Sequence, residues 1–225
     1  IRYNSFADAD TILADAPDVV IIATGGLPHT EVLKAGNAHV SSTWDIIAGD
    51  VKPGSDVLIY DDAGDHAGMQ AAEVIAASGA KLEIMTRDRA FAPEVMAMNL
   101  VPYMRALQKR DVKFTVTYLL EAVRKDGNML VATIGSDYGG IAREQRHDQI
   151  IVNHGTRPND ELYHALIPHS VNEGAVDYDA LIDGKPQVLA TNPAGTFQLF
   201  RIGDAVAARN THAAIYDALR LVKDI

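Results

Sequence analysis

The sequence predicts an α/β protein, and three observations carry that expectation. Asp18 to Gly26 is a short, nearly continuous apolar run that ends in glycines, as strands buried on both faces of a parallel sheet do. Residues 56 to 85 read as strand, helix, strand. The tail repeats the pattern, with an apolar strand, a glycine turn and an amphipathic helix.

Taken in order, residues 27 to 50 form a mixed connection punctuated by Pro28, Gly36 and Gly49, with a short helix around Thr43 to Ile47. Asp56 to Tyr60 is a strand, and residues 61 to 68 a loop holding Gly64 and Gly68. Met69 to Ala77 is an Ala-rich helix capped by Gly79, and Lys81 to Met85 is the next strand. A longer helix is predicted from Pro93 to Arg110, then a strand from Lys113 to Thr117. Val131 to Ile134 and Ile141 to Arg146 flank a Gly-rich turn and predict an antiparallel hairpin. Gln149 to Asn153 is another strand, ending at Gly155 and Pro158, and Asp160-Glu161 starts a helix before Leu162 and Leu166. Strand Gln198 to Ile202 precedes Gly203-Asp204. The last helix, Thr211 to Lys223, is expected to bury Ile215, Leu219 and Val222, which recur at i, i+4, i+7.

Composition narrows the chemistry. A chain of 225 residues fits one large or two small domains. With 20 basic against 30 acidic side chains, the net charge of -10 argues against binding nucleic acid, which needs phosphates neutralised by Lys and Arg. The absence of Cys excludes disulfides, thiolate catalysis and iron–sulfur ligation within this segment. No apolar run approaches the ~20 residues of a membrane span and no signal-peptide pattern is present, so a cytoplasmic location is expected. The chain begins with Ile1 in mid-pattern, which leads us to expect that part of a parent protein lies outside it.

Two segments have the residues of a cofactor site. The loop after Tyr60 is where a dinucleotide fold would hold a pyrophosphate. Counting back from Gly79 places the third fingerprint glycine at Gly68, but Ala63 and Asp65 then stand where the first two belong. The loop is two residues too long and contains Asp61, Asp62 and Asp65. At ~6 Å and an effective dielectric of ~20, each carboxylate repels a unit of pyrophosphate charge by roughly 3 kcal/mol before screening. A helix N-terminus returns only ~0.3–2 kcal/mol. The expectation is a retained βαβ fold with tight NAD(P) binding lost or altered. Arg87 and Arg89, after the second strand, are the opposing signal, since arginines there can take a 2′-phosphate.

The other segment is the pair of strand-end turns Ala23-Thr24-Gly25-Gly26 and Gly203-Asp204-Ala205. Glycine there lets the backbone approach a ligand, the acid can take a ribose or ribitol hydroxyl, and the helix that follows favours an anion. No nucleophile elbow, Walker loop or zinc-binding H-E-x-x-H occurs, and His164 and His169 are five apart rather than four. No catalytic residue and no metal ligand is assigned.

These segments together resemble the C-terminal half of the NADH:flavin oxidoreductases related to old yellow enzyme, a group that includes trimethylamine dehydrogenase, 2,4-dienoyl-CoA reductase and the N-methylproline and dimethylglycine demethylases. The resemblance rests on Val20 to Gly26, Val57 to Thr86, Asp148 to Asn159, and Arg201 to Val206 with Thr211 to Ile215, and it covers nearly the whole chain. The acid-rich loop, Asp61 to His66, resembles the amine-dehydrogenase and demethylase branch more than the dienoyl-CoA reductases.

The resemblance implies two interleaved Rossmann-like nucleotide-binding folds of the disulfide-reductase kind. Residues 1–50 and 150–225 would form a partial FAD- or ADP-binding fold, and 51–149 an inserted NAD(P)-type fold with a degenerate glycine loop. The outer fold would be incomplete, because its first βαβ unit is not here. Residues implied near cofactor are Thr24, Gly25, Gly26, Gly203, Asp204 and His212 in the outer fold and Gly64, Gly68 and Arg87 in the inserted one. FMN, substrate and a 4Fe-4S cluster would be held by an N-terminal barrel outside this chain, the natural partner of this segment. An electron-transfer flavoprotein and a homo-oligomeric parent are further implied partners. The parent would demethylate a small N-methylated amine, and the segment alone would turn over nothing. An NAD(P)H-dependent flavin reductase and a non-catalytic scaffold remain the alternatives.

Overall fold

The computed structural model describes residues 1–140 and 142–223. In chain order the elements begin with α1 (Ala9–Ala14), β1 (Val19–Ile22), β2 (Gly26–Pro28), β3 (Ser41–Ser42), α2 (Thr43–Ala48) and β4 (Asp56–Asp61). There follow α3 (His66–Ala77), β5 (Lys81–Met85), α4 (Ala97–Gln108), β6 (Lys113–Thr115), β7 (Leu119–Asp126), β8 (Met129–Gly135) and β9 (Arg143–His147). The remainder is β10 (Gln149–Asn153), β11 (Thr156–Pro158), α5 (Glu161–Leu166), α6 (Tyr178–Asp183), β12 (Gln198–Arg201) and α7 (Thr211–Lys223). This is an α/β protein in two compact units: Pro28–Gly155, and Ile1–Leu27 together with the chain from Thr156 onward.

The Pro28–Gly155 unit is built on a five-stranded sheet in the order β3-β10-β4-β5-β6. All four pairings are parallel, with Ile59 opposite both Ile151 and Ile84. Its strands are apolar at successive positions because both faces are covered. Val57, Ile59, Ile84 and Ile151 pack under α2, α3 and α4, whereas Leu58, Tyr60, Met85, Ile150 and Val152 face an antiparallel meander, β7-β8-β9. Ala71, Ala72 and Ala76 bring α3 close to the sheet, and all three are buried.

Several boundaries differ from expectation for identifiable reasons. α3 starts at His66 rather than Met69, because Asp65 caps it by accepting from the backbone N–H groups of Ala67 and Gly68. α4 starts at Ala97 rather than Pro93, since the turn at Pro93 is committed to the glycine loop, where Glu94 N–H donates to the Gly64 carbonyl (3.0 Å). β6 ends at Thr115, two residues early, and Thr117 takes a left-handed φ of 64°. The expected hairpin is a three-stranded meander whose first strand, β7, sequence reading misses. A bulge between Leu120 and Ala122, near its start, shifts its alternation. β9 opens at Arg143; Ile141, with which its predicted strand began, lies outside the described residues.

In the other unit, β1 and β12 form a two-stranded parallel sheet, Val19 opposite Gln198 through Ile22 opposite Arg201. Val20, Ile22 and Leu199 pack with Tyr163 and Leu166 of α5 and with Ala9, Ile12 and Leu13 of α1. β1 was expected to be buried on both faces; instead Val19 is 36% exposed while Val20 and Ile22 are buried, so its burial alternates. α7 also departs from expectation. Ile215, Leu219 and Val222 are 63%, 65% and 54% exposed, and the helix turns Ala214 and Leu221 inward instead. Two stripes at helical spacing coexist on α7, and the more apolar one is not the one that packs here.

Candidate functional site

The turns after β1 and β12 lie side by side because the two strands are parallel neighbours in register. Between them is a cavity of about 320 Å³ lined by Ala23, Gly25, Gly203, Asp204, Asn210 and Thr211, among others. Gly25 and Gly203 have φ of 71° and 61°, a region L side chains rarely enter. A Cβ on Gly25 would meet nothing within 4 Å, so that glycine serves conformation and access rather than packing. The Asp204 carboxylate accepts from the backbone N–H of Arg209 (3.2 Å), and Arg209 pairs with Asp217 through both terminal nitrogens. Asn210 caps α7 by accepting from the Ala213 N–H (2.9 Å).

Of the residues singled out in the outer fold, the cavity therefore brings together Gly25, Gly203 and Asp204. Thr24, Gly26 and His212 stand beside it. The Thr24 hydroxyl donates to the Asn159 carbonyl, and Asn159 N–H donates back to the Gly25 carbonyl (3.0 Å), fixing the turn. Gly26 packs against Thr156 and the Arg157 carbonyl. His212 is exposed on the first turn of α7. Sequence reading missed Arg209 and Asn210; an Asn one residue before a predicted helix is the capping signal that points to the latter.

The acid-rich loop is arranged differently. Asp61, at the end of β4, is 1% exposed. One of its oxygens accepts from Gly64 N–H (2.9 Å) and from the side-chain amide of Asn153 (2.8 Å), and its other oxygen has no partner among the described residues. Burial lifts this carboxyl to about 6, against the pull of its hydrogen bonds from Gly64 and Asn153. Gly68 lies directly over it, so that a Cβ there would collide with the carboxylate. The Asp65 carboxylate occupies the N-terminus of α3 and also accepts from Asn153 (2.9 Å). Gly64, φ 65°, packs against Pro93. Each feature that resembles a phosphate loop is thus engaged with the protein's own carboxylates.

Beyond the strand ends, Arg87 pairs with Asp137 (3.1 Å) and Arg89 bonds the Tyr138 hydroxyl (3.2 Å). Asp62 lies 3.4 Å from both the Tyr60 hydroxyl and Nδ1 of His154. His154 holds the Asp62 carboxyl below the ordinary range in spite of its burial. Among the described residues no cluster of His, Asp or Glu is arranged to hold a metal, and no helix is long and apolar enough to cross a membrane.

No protein-family model matches the chain. It is 68% identical over 224 residues to a probable N-methylproline demethylase of Rhizobium meliloti, covering 100% of this chain and 33% of the relative. It is 42% identical over 235 residues to an N,N-dimethylglycine/sarcosine dehydrogenase of Chromohalobacter salexigens, covering 100% and 34%. A multifunctional alkene reductase/demethylase of Caballeronia cordobensis shares 33% identity, covering 98% and 33%. Solved structures of the same fold include histamine dehydrogenase from Rhizobium sp. 4-9 (TM-score 0.73, 21% identity, 96% of this chain and 32% of that one). A 2-naphthoyl-CoA reductase complex matches with a TM-score of 0.72 and 24% identity, over 99% and 29%.

By fold, then, the chain is an α/β protein of the kind found within these redox enzymes. By sequence it is similar over its whole length to part of these demethylases and dehydrogenases, and its motifs resemble those of the NADH:flavin oxidoreductases related to old yellow enzyme. It spans about a third of the length of the curated relatives it matches.

Proposed function

We propose that the chain is the C-terminal nucleotide-binding segment of a flavin-dependent oxidoreductase that demethylates a small N-methylated amine. In this reading the unit containing β1 and β12 is a partial FAD- or ADP-binding fold, and the Pro28–Gly155 unit is an inserted Rossmann-like fold that has given up its dinucleotide. The relatives' names, demethylase and dehydrogenase, support the activity. FMN, the iron–sulfur cluster and the substrate pocket would lie elsewhere in the parent, as would the sites that recognise an electron-transfer flavoprotein.

The observation that carries the nucleotide assignment is the cavity between the glycine turns. Its donor set fits an adenine nucleotide or a flavin dinucleotide: two left-handed glycines expose backbone, Asp204 offers a carboxylate for a sugar hydroxyl, and the N-terminus of α7 offers N–H groups for phosphate. When bound, FAD would supply hydride or electron transfer and ADP would supply structure alone. This chain's own residues bind and orient. Titration calorimetry with ADP, FAD, NADH and NADPH tests the proposal. ADP or FAD is expected to bind and the nicotinamide dinucleotides to bind weakly, whereas tight NADPH binding would favour the reductase alternative.

A further inference from the structure

The face of the five-stranded sheet opposite α3 holds a second cavity, of about 350 Å³, at the carboxyl ends of β4, β5 and β10. Ligands of parallel sheets bind in that crevice, and the volume is at the lower end of the ~300–1,000 Å³ range of small-molecule sites. Tyr60, Asp62 and His154 line it from the sheet; Val32, Leu119 and Leu120 give it apolar wall; Lys34, Glu121, Arg87 and Asp137 complete it. Tyr60 belongs to the core cluster beneath the meander, whereas the loop carboxylates Asp61 and Asp65 cluster around α3.

The charges are unequal. Lys34 is paired with Glu121 (2.6 Å) and Arg87 with Asp137 (3.1 Å), which leaves Asp62 with no Lys or Arg salt bridge among the described residues; its one close ion-pair candidate is His154, and the Arg87 charge acts on it from farther away. Its two hydrogen-bond partners, the Tyr60 hydroxyl and His154 Nδ1, are both at 3.4 Å, near the limit for such bonds. The His154 side chain is only 2% exposed, and its Nε2 is buried with no hydrogen-bond partner among the described residues. With Nδ1–H directed at Asp62, a neutral imidazole presents Nε2 as an acceptor. An underbonded carboxylate and an unsatisfied acceptor nitrogen both call for donors and positive charge, and the apolar wall calls for a short hydrocarbon body.

We propose that this cavity is a binding site for a small organic monocation with N–H donors, a primary alkylammonium or a close equivalent, seated on Asp62 and His154 with its hydrocarbon against Leu119 and Leu120. The site shares no lining residue with the nucleotide cavity between Gly25 and Gly203, and it stands whether or not that cavity takes ADP. Its size and charge do not suit a dinucleotide.

The test uses the 225-residue chain with ¹⁵N-labelled histidines and n-butylammonium as probe, against butanoate and 1-butanol as anionic and neutral counterparts. A His154→Gln variant assigns the resonance. n-Butylammonium is expected to shift the His154 Nε2 signal saturably, with a dissociation constant of about 1 mM or tighter. Asp62→Asn, which keeps the shape and removes the charge, is expected to weaken binding about tenfold. Lys34→Ala, which leaves Glu121 without its cation, is expected to tighten it about two- to threefold, and it carries the test if Asp62→Asn does not fold. The proposal is overturned if butanoate or 1-butanol saturates the shift at least as well. It is equally overturned if no saturable shift appears by ~50 mM probe, or if binding is unmoved by both substitutions.

Discussion

The side-chain amide of Asn153 donates to Oδ1 of Asp65 at 2.9 Å, across 88 residues of sequence. The same nitrogen reaches Asp61 at 2.8 Å. A residue at the end of β10 thereby clamps the N-cap of α3 and the last residue of β4 together across the acid-rich loop. Asn153→Ala removes both bonds and leaves the buried Asp61 carboxylate with one fewer donor. A loss of about 2–4 kcal/mol is expected in urea unfolding, and a loss below about 0.5 kcal/mol would show that the clamp is incidental.

Asp61 gives the fold an unusual pH response. Its carboxyl is raised from 3.8 to about 6 in the folded protein, so the folded state holds the proton more tightly than the unfolded chain. The linkage sign follows: the carboxylate opposes folding above pH ~6, and this opposition fades as the pH falls toward ~4. A shift of that size corresponds to about 3 kcal/mol at neutral pH. Glu83 acts in the opposite sense. Burial pushes its carboxyl up, but hydrogen bonds from Lys113 and Thr115 outweigh that and hold it below 4.5, so its contribution is present at neutral pH and lost in acid. The difference between wild type and Asp61→Asn isolates the first effect. The variant is expected to be more stable by about 1–3 kcal/mol at pH 7.5, with the gap closing by pH 4.5. A pH-independent difference would refute the assignment.

The same carboxylates explain why the glycine loop should refuse a dinucleotide. Asp65 already satisfies the first N–H groups of α3, where a pyrophosphate would sit. Wild-type chain is expected to bind NADH and NADPH no tighter than about 1 mM. Asp65→Ser retains a capping oxygen while removing the charge and the acceptor for Asn153, so stability should fall by about 1–2 kcal/mol. Its NADPH affinity should rise about tenfold, a fraction of the roughly 3 kcal/mol of repulsion removed. Micromolar NADPH binding by the wild type would contradict this account of the loop.

How much of this was legible in the sequence depended on whether the signal was local. β4, β5 and β10 announce themselves because each is a short apolar run bounded by turn residues, and the Gly25 and Gly203 turns follow from strand-end position alone. An Asp just ahead of an Ala-rich helix also marks the capping role of Asp65. What the sequence could not show was partnership over distance. Nothing near Asn153 indicates that its amide bridges two aspartates some 90 positions upstream. β7 hid behind its bulge, and α7 carries two stripes at the same spacing, so periodicity identified a helix without choosing its packed face.

Gly25 and Gly26 differ in a way that separates fold from binding at the proposed nucleotide site. A Cβ on Gly26 would collide with the Thr156 side chain and lie 2.7 Å from the Arg157 carbonyl oxygen, which is backbone and cannot swing aside. Gly26→Ala should therefore destabilise the chain by about 2 kcal/mol or more, whatever it binds. A Cβ on Gly25 meets nothing within 4 Å and projects from a turn that lines the cavity. Its cost to folding is the left-handed backbone alone, about 1–2 kcal/mol. The methyl group should nevertheless hinder approach of a phosphate or sugar, so ADP affinity is expected to fall about tenfold or more while the melting transition stays cooperative. Calorimetric titration with ADP, run beside thermal unfolding of both variants, decides the matter: unchanged ADP affinity in a folded Gly25→Ala chain would mean that the nucleotide does not sit on this turn.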